Sequence, residues 1–310
     1  MVMNREKLSR RDFLIRGAGA GIAAAGLGII STPKVLMAAV GSVITGPLYL
    51  AIAKGGDPAS NTMRAIQALG GIEKFVKKGD KVAIKPNPAT ANRSEVASTT
   101  NPDVVETVVK MCFRAGASDV VVLSHDAERN FQRDGIGDAA SRAGARVLAA
   151  ISRDLYRPVD VFRGRLLENV EIIGDLLDAD VFINIPIAKH HSATDVTLSM
   201  KNLMGINWNR VYFHQNGLHQ AIADLSTVAK PDLIVMDANR ILLTNGPNGP
   251  GQTRDDKMVI AGTDPVAVDA YATTLFNRAP ENISHIQYAY ELGVGEIDLK
   301  KLNIKEFAVG

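Results

Sequence analysis

Lys81-Val82-Ala83-Ile84-Lys85-Pro86-Asn87 decides how this chain folds once it is read together with the forty residues after it. A short apolar run stops abruptly at a proline and an asparagine, the pattern of a buried strand reaching a loop. Asn101-Pro102-Asp103 then opens a helix, with Asn at the N-cap, Pro in the first turn and Asp beside the positive end of the helix dipole. Gly116 closes that helix, and Val120-Val121-Val122-Leu123 forms a second strand ending at Ser124-His125-Asp126. Strand, helix, strand is the unit that builds parallel sheets, because a parallel partner needs a long crossover.

The same alternation continues outward. Asp134 to Ala143 reads as a short helix, Arg146 to Ile151 as a strand and Val161 to Ile173 as an irregular hairpin. Asp180 to Ile185 reads as a buried strand ending at Pro186, with Lys189, His190 and His191 in the loop beyond it. Val196 to Met204 is an apolar, uncharged helical run broken only by Lys201. Leu218 to Val228 is helical, with Gly217 leaving His214 in the loop before it. Asp232 to Met236 is a strand ending at Asp237, Met258 to Ala261 is another, and Thr263-Asp264-Pro265 caps a helix running to Phe276. These elements predict an α/β fold: a mostly parallel sheet with helices on both faces, preceded by an N-terminal signal segment. Residues 1–39 are the signal and residues 40–310 a single α/β domain.

The signal reading rests on Ser9-Arg10-Arg11-Asp12-Phe13-Leu14, a twin-arginine export pattern, followed by an uncharged run from Gly17 to Ile30 and small residues near Ala38-Ala39. The run is shorter than the ~20 apolar residues that span a bilayer. The expected destination is periplasmic or otherwise extracytoplasmic, through the twin-arginine (Tat) machinery. Met37-Ala38-Ala39 is a poor cleavage site, which leaves an uncleaved N-terminal membrane anchor as the alternative to a released protein. This segment carries Arg5, Lys7, Arg10, Arg11, Arg16 and Lys34 against Glu6 and Asp12, a net of +4, whereas the whole chain is +2. The body is therefore −2 and has no basic face for nucleic acid.

One cysteine, Cys112, lies at helical spacing among apolar residues and reads as a core thiol. A single thiol holds no internal disulfide and no iron–sulfur cluster, which takes about four thiolates.

Parallel sheets bind ligands at the carboxyl ends of their strands, and the polar residues gather there. Lys85 and Asn87 end one predicted strand, His125 and Asp126 a second and Asp237 another. Four of the six histidines fall between Lys189 and His219. Imidazoles bind divalent metals and carry protons near neutral pH. Adjacent His190 and His191 diverge on a strand and can share an ion only from a loop. His214 and His219 would stand about 140° apart on one helix. Lysines at such a place bind anions or, when desolvated, act as bases. Gly246-Pro247-Asn248-Gly249-Pro250-Gly251 is either a plain turn or an anion-binding nest of backbone N–H groups.

Lys85-Pro86-Asn87, Asp180 through Pro186, Lys189-His190-His191, Lys201-Asn202-Leu203-Met204-Gly205, Gly246-Pro247 and Thr263-Asp264-Pro265-Val266-Ala267-Val268-Asp269 together resemble the domain-of-unknown-function 362 family, over most of residues 80–276 and in the same order. The resemblance implies an α/β domain and no particular reaction. Many relatives carry ferredoxin-type cysteine clusters, which this chain lacks. The order is also loosely similar to the lactate racemase family, which uses a nickel-pincer cofactor; that likeness implies no residue roles.

The expected function is an exported enzyme acting on a small anionic substrate. Lys201, Lys85 and Asp237 are the catalytic candidates. Asn87, Lys189, Asn202, Gly246, Gly249 and Asp269 are the substrate-binding candidates. His190, His191 and His214 are candidate ligands for a divalent metal, or else proton carriers. The alternatives are a metal- or cofactor-handling accessory protein and a noncatalytic partner co-exported with a redox subunit.

Overall fold

The computed structural model describes residues 49–88, 92–126 and 128–310; the signal reading of residues 1–39 lies outside the described residues. The main sheet contains β1 (Tyr49–Lys54), β2 (Lys81–Lys85), β3 (Asp119–Ser124), β4 (Arg146–Ala149), β7 (Val181–Asn184), β10 (Leu233–Leu242), β11 (Thr253–Gly262) and β12 (Asn303–Ala308), in the order β12-β1-β11-β10-β7-β2-β3-β4. Pairings from β10 to β4 are parallel, as is β1 with β12; within this order β11 runs antiparallel to both of its neighbours, β10 and β1. β5 (Tyr156–Asp160) and β6 (Asn169–Ile173) make a separate antiparallel hairpin.

Strand side chains alternate between two cores, as a pleat with a period of two requires. Val82, Ile84, Val120, Val122, Val181 and Ile183 join one core. It is covered by α1 (Pro58–Ala68), α2 (Pro102–Arg114) and α4 (Ile136–Arg142), while α3 (Glu128–Arg133) adds Phe131. Ala83, Val121, Leu123 and Phe182 face the opposite core with Ile234 and Met236. There they meet α8 (Leu218–Val228), α9 (Pro265–Thr273) and α10 (Ser284–Glu291). Both faces are thus sealed, which explains why these strands read as continuous apolar runs. Cys112 lies in the first core, and burial pushes its thiol up to about 12.

The expected caps are in place. Asn101 accepts from the Asp103 N–H at 2.8 Å, and Asp264 accepts from Val266 and Ala267 at 2.8 and 3.0 Å. Gly116 ends α2 with a φ of +95°, which an L side chain would resist.

Five local readings are corrected. The hairpin begins at Tyr156, not Val161: its buried residues Tyr156 and Val159 are three apart and so lie on opposite faces, which hides the period-two pattern of a strand. Lys189, His190 and His191 are not in a loop: they belong to β8 (Ile187–His191), which continues alongside β10 beyond the end of β7 and pairs with β9 (Asp195–Thr197). Val196 and Thr197 are consequently strand, and the following helix is only α6 (Ser199–Asn202) plus a 3-10 turn over Leu203–Ile206. His214 lies in its own helix, α7 (Arg210–Asn216). Asp237 does not end a strand; β10 bulges near Ala238 and runs on to Leu242 against β11. The short helix α5 (Gly174–Leu177) completes the set. Among the described residues no helix is long and apolar enough to cross a membrane.

Candidate functional site

The chain leaves β2 toward β3 and β4, then returns to place β7 and β10 on the other side of β2. The β2–β7 junction is therefore the topological switch point, where neighbouring crossovers part and leave a crevice at the carboxyl ends. Lys85 pairs in register with Asn184 at that end. Lys189 arrives from β8, and Lys201 and Asn202 from α6.

These side chains form one buried network. The Lys85 ammonium donates to the Pro86 carbonyl and to Asn202 Oδ1, the latter at 3.3 Å. Asn202 Oδ1 also accepts from Asn87 Nδ2 at 2.9 Å, while Asn202 Nδ2 donates to Asn184 Oδ1 at 2.7 Å and to the Lys85 carbonyl at 3.3 Å. Asn87 Oδ1 accepts from Lys189 Nζ at 3.2 Å, and Lys189 also donates to the Ser98 carbonyl. Lys201 differs: its ammonium meets Met204 Sδ at 3.1 Å, a weak acceptor. Lys85, Lys189 and Lys201 are 2%, 1% and 9% exposed. Lysines are almost never this buried without a counter-charge.

Burial lowers all three. It holds Lys85 and Lys189 at about 7 each, with the Asp126 carboxylate partly opposing, and Lys201 at about 8, with Arg210 adding to the effect. Lys189 also feels the like charges of Lys201 and Lys85. Asp126 accepts from Ser124 Oγ at 2.5 Å and faces Arg210 at 3.6 Å, so its charge is already shared. Gly205 borders Lys85 so closely that a Cβ there would stand 2.6 Å from Lys85 Cε and 2.9 Å from Nζ.

The remaining candidates surround this network without joining it. Asp269 lies behind α6, where its two oxygens accept from the N–H groups of Ser199 and Met200 at 2.7 and 3.0 Å; burial raises its carboxyl to about 8. Asp237 accepts from the N–H of Asn101 at 2.8 Å and from Asn239 at 3.0 and 2.8 Å. It braces the start of α2. The N–H groups of Gly246 and Gly249 are also engaged, with His190 Nδ1 at 3.0 Å and the Asn245 carbonyl at 2.9 Å, so the loop does not present them as a nest. A Cβ on Gly246 would fall 1.7 Å from the His190 carbonyl oxygen, so this glycine allows close packing on β8.

Among the described residues no three His, Cys, Asp or Glu side chains are grouped to hold a metal ion. His190 and His191 diverge on β8, and His214 is exposed on α7. The expected ligand set is therefore not assembled, and the donor set does not fit a resident metal. His191 Nδ1 accepts the Ala193 N–H at 3.0 Å, and burial followed by the charges of Lys201 and Lys189 holds the ring down to about 3. The neutral ring thus keeps its proton on Nε2 and serves as a donor rather than a base.

Sequence reading missed two neighbours of the network, Ser124 and Arg210, which carry no motif; Asn184 is legible as a polar residue near a strand end, though not as a binding group. The position of Ser124-His125-Asp126 at the end of β3 was the available signal. His125 stacks on Trp208 with ring centroids 5.0 Å apart, and its backbone N–H donates to the Gly205 carbonyl at 2.7 Å. Two surface clefts, of about 210 Å³ beside His190 and Arg278 and about 430 Å³ beside Asn207 and Tyr212, are not lined by the lysines.

Fold and site together define an α/β protein with a buried lysine–asparagine network at its switch point. The chain belongs to the family described as Domain of unknown function (DUF362), whose model matches residues 82–274. It is similar to the thylakoid-associated protein sll1697 of Synechocystis sp., 25% identical over 264 residues that cover 78% of this chain and 77% of that protein. A likeness to the lactate racemase apoprotein of Thermoanaerobacterium thermosaccharolyticum has a TM-score of 0.47 at 12% identity. It covers 73% of this chain, which spans 56% of that one.

Proposed function

We propose that this protein binds a small anion in the Lys85–Lys189–Lys201 crevice and acts on it as an enzyme. The observation that carries the reading is the charge imbalance. Of three nearly sealed lysines, Lys85 and Lys189 feel one carboxylate, Asp126, which is itself paired with Arg210, while Lys201 feels only the like charge of Arg210. Buried charges without partners are costly, and an incoming anion supplies the missing one. Asn87 and Asn202 hold two of the lysines in fixed positions, so the charge is preorganised.

Sulfate is a suitable probe because it lacks other chemistry. Titration of the full-length protein should raise its melting temperature, the stabilisation growing with the logarithm of sulfate concentration once that exceeds the dissociation constant. Lys85→Met and Lys189→Met should each remove most of that shift. An equal sulfate response in parent and both variants would refute the assignment.

Export is part of the same proposal. Ser9 to Leu14 and the apolar run after it support twin-arginine transport of a folded protein. A reporter fused after residue 39 should leave the cytoplasm, and the paired change Arg10→Lys with Arg11→Lys should retain it there. Export that survives the paired change rules this route out.

A further inference from the structure

We propose that Arg210 is the outermost residue of the anion site, where its guanidinium fork takes an oxyanion that presents two oxygens. This inference rests on the anion-binding reading and adds to it the residue that selects the shape of the ligand.

Arg146 and Arg153 show what a filled fork looks like in this protein. Arg146 lays two N–H groups on the Asp119 carboxylate at 3.3 and 2.8 Å, and Arg153 lays two on Glu171 at 3.0 and 3.2 Å. Arg210 has no such match. Among the described residues its guanidinium meets no hydrogen-bond acceptor, and its ion pair with Asp126 is a single approach of Nη1 to Oδ1 at 3.6 Å. The reason is local. Asp126 Oδ2 already accepts from Ser124 Oγ at 2.5 Å, so one oxygen faces the arginine where a fork needs two.

The backbone beneath the fork is held firmly. The Arg210 N–H donates to the Trp208 carbonyl at 3.1 Å, and the Trp208 N–H donates to the Glu171 carbonyl at 3.0 Å. The Trp208 ring stacks on His125, and Asn209 Oδ1 caps α7 by accepting from the Tyr212 N–H at 3.1 Å.

Arg210 also stands where an incoming anion is met first. Its side chain is 37% exposed, whereas Lys85 and Lys201 are nearly sealed. Its charge nonetheless reaches both lysines and lowers each of them. His214 follows four residues later on the same face of α7 and feels Lys201 and Arg210 together, so this face turns toward the crevice. One guanidinium thus touches solvent and acts on the buried charges. A planar fork favours a ligand with two oxygens over a spherical ion, which a lysine ammonium would serve equally well.

The experiment measures sulfate and chloride affinity of the full-length protein by calorimetry at constant ionic strength, between pH 6.5 and 9. Arg210→Lys keeps the charge and loses the fork. It should weaken sulfate by about ten-fold or more at pH 6.5, leave chloride unchanged and keep the parent's pH profile. Arg210→Gln should weaken both anions. Without the neighbouring charge Lys85 and Lys201 keep their protons to higher pH, so the fall in sulfate affinity should also move to higher pH. A purely structural arginine would not move that profile. If Arg210→Lys binds sulfate as the parent does, the fork is refuted. If Arg210→Gln matches the parent in affinity and pH profile, Arg210 lies outside the site and the lysine site stands. If the parent binds no sulfate, the anion-binding reading falls together with this one. Melting curves without anion check that each variant folds; should Arg210→Gln not fold, the Arg210→Lys comparison decides by itself.

Discussion

Lys189→Met gives a sharp test of whether the crevice lysines are held against their preference for water. Lys189 is 1% exposed, and burial moves its ammonium from an ordinary 10.5 down to about 7. Each pH unit of such a displacement corresponds to ~1.4 kcal/mol, so the charged form costs the fold roughly 5 kcal/mol below pH 7. The sign follows from proton binding. Between pH 7 and 10.5 the unfolded chain holds this proton and the folded chain does not, so the contribution of Lys189 to stability rises with pH across that window. By pH 9.5 the penalty has shrunk to roughly 1–2 kcal/mol. Methionine has similar length and no charge, so the variant escapes this penalty at every pH. It does remove the Lys189 donor from Asn87 Oδ1 and from the Ser98 carbonyl, at about 1–3 kcal/mol for a buried acceptor left unsatisfied, a cost with no pH dependence. The difference in unfolding free energy between variant and parent should therefore swing by about 3 kcal/mol between pH 6.5 and 9.5, in the parent's favour at high pH. Urea denaturation of both proteins at the two pH values measures it. A difference that stays constant with pH would mean that Lys189 is not desolvated, and the reasoning would fail.

Three further outcomes come from the same geometry. Gly205→Ala should push the Lys85 ammonium out of place and weaken sulfate binding by about ten-fold or more, with far-ultraviolet circular dichroism unchanged; the Cβ has only 2.6 Å to Lys85 Cε. Sulfate affinity in the parent should fall by about ten-fold or more from pH 6.5 to 9, because Lys85 and Lys189 at about 7 and Lys201 at about 8 lose their protons over that range; calorimetry at each pH would show an opposite or flat trend if the lysines were not the binding groups. Asp269→Asn replaces one of two accepting oxygens with a donor facing a backbone N–H, and should cost about 1–3 kcal/mol in urea unfolding along with part of the sulfate response, since α6 carries Lys201 and Asn202; full stability and binding would show that this carboxylate does not position α6.

Much of the architecture is written locally. The Asn101-Pro102 and Asp264-Pro265 caps, the Gly116 stop and the buried runs of β2, β3 and β7 are each decided within a few residues, so they are legible without partners. The misreadings share one cause. Val196 and Thr197 are strand because β8 lies beside them, and β10 continues past Asp237 because β11 pairs with it. Pairing with a distant segment overrode the local pattern. Asp237 and Asp269 show the same limit in the site: an acidic residue in an apolar run signals importance, but only its partners distinguish a brace from a catalyst.

A largely parallel α/β sheet, the polar residues at its carboxyl edge, a body without excess positive charge and a lone core thiol all follow from local sequence pattern. Tertiary structure alone decided which of those polar residues meet. Lys85, Lys189 and Lys201 are separated by up to 116 residues and converge only because β2 and β7 adjoin at the switch point. Their burial is likewise a property of the packed molecule. A lysine's charge is fixed by its chemistry, whereas its readiness to give up a proton depends on how much water the fold leaves around it.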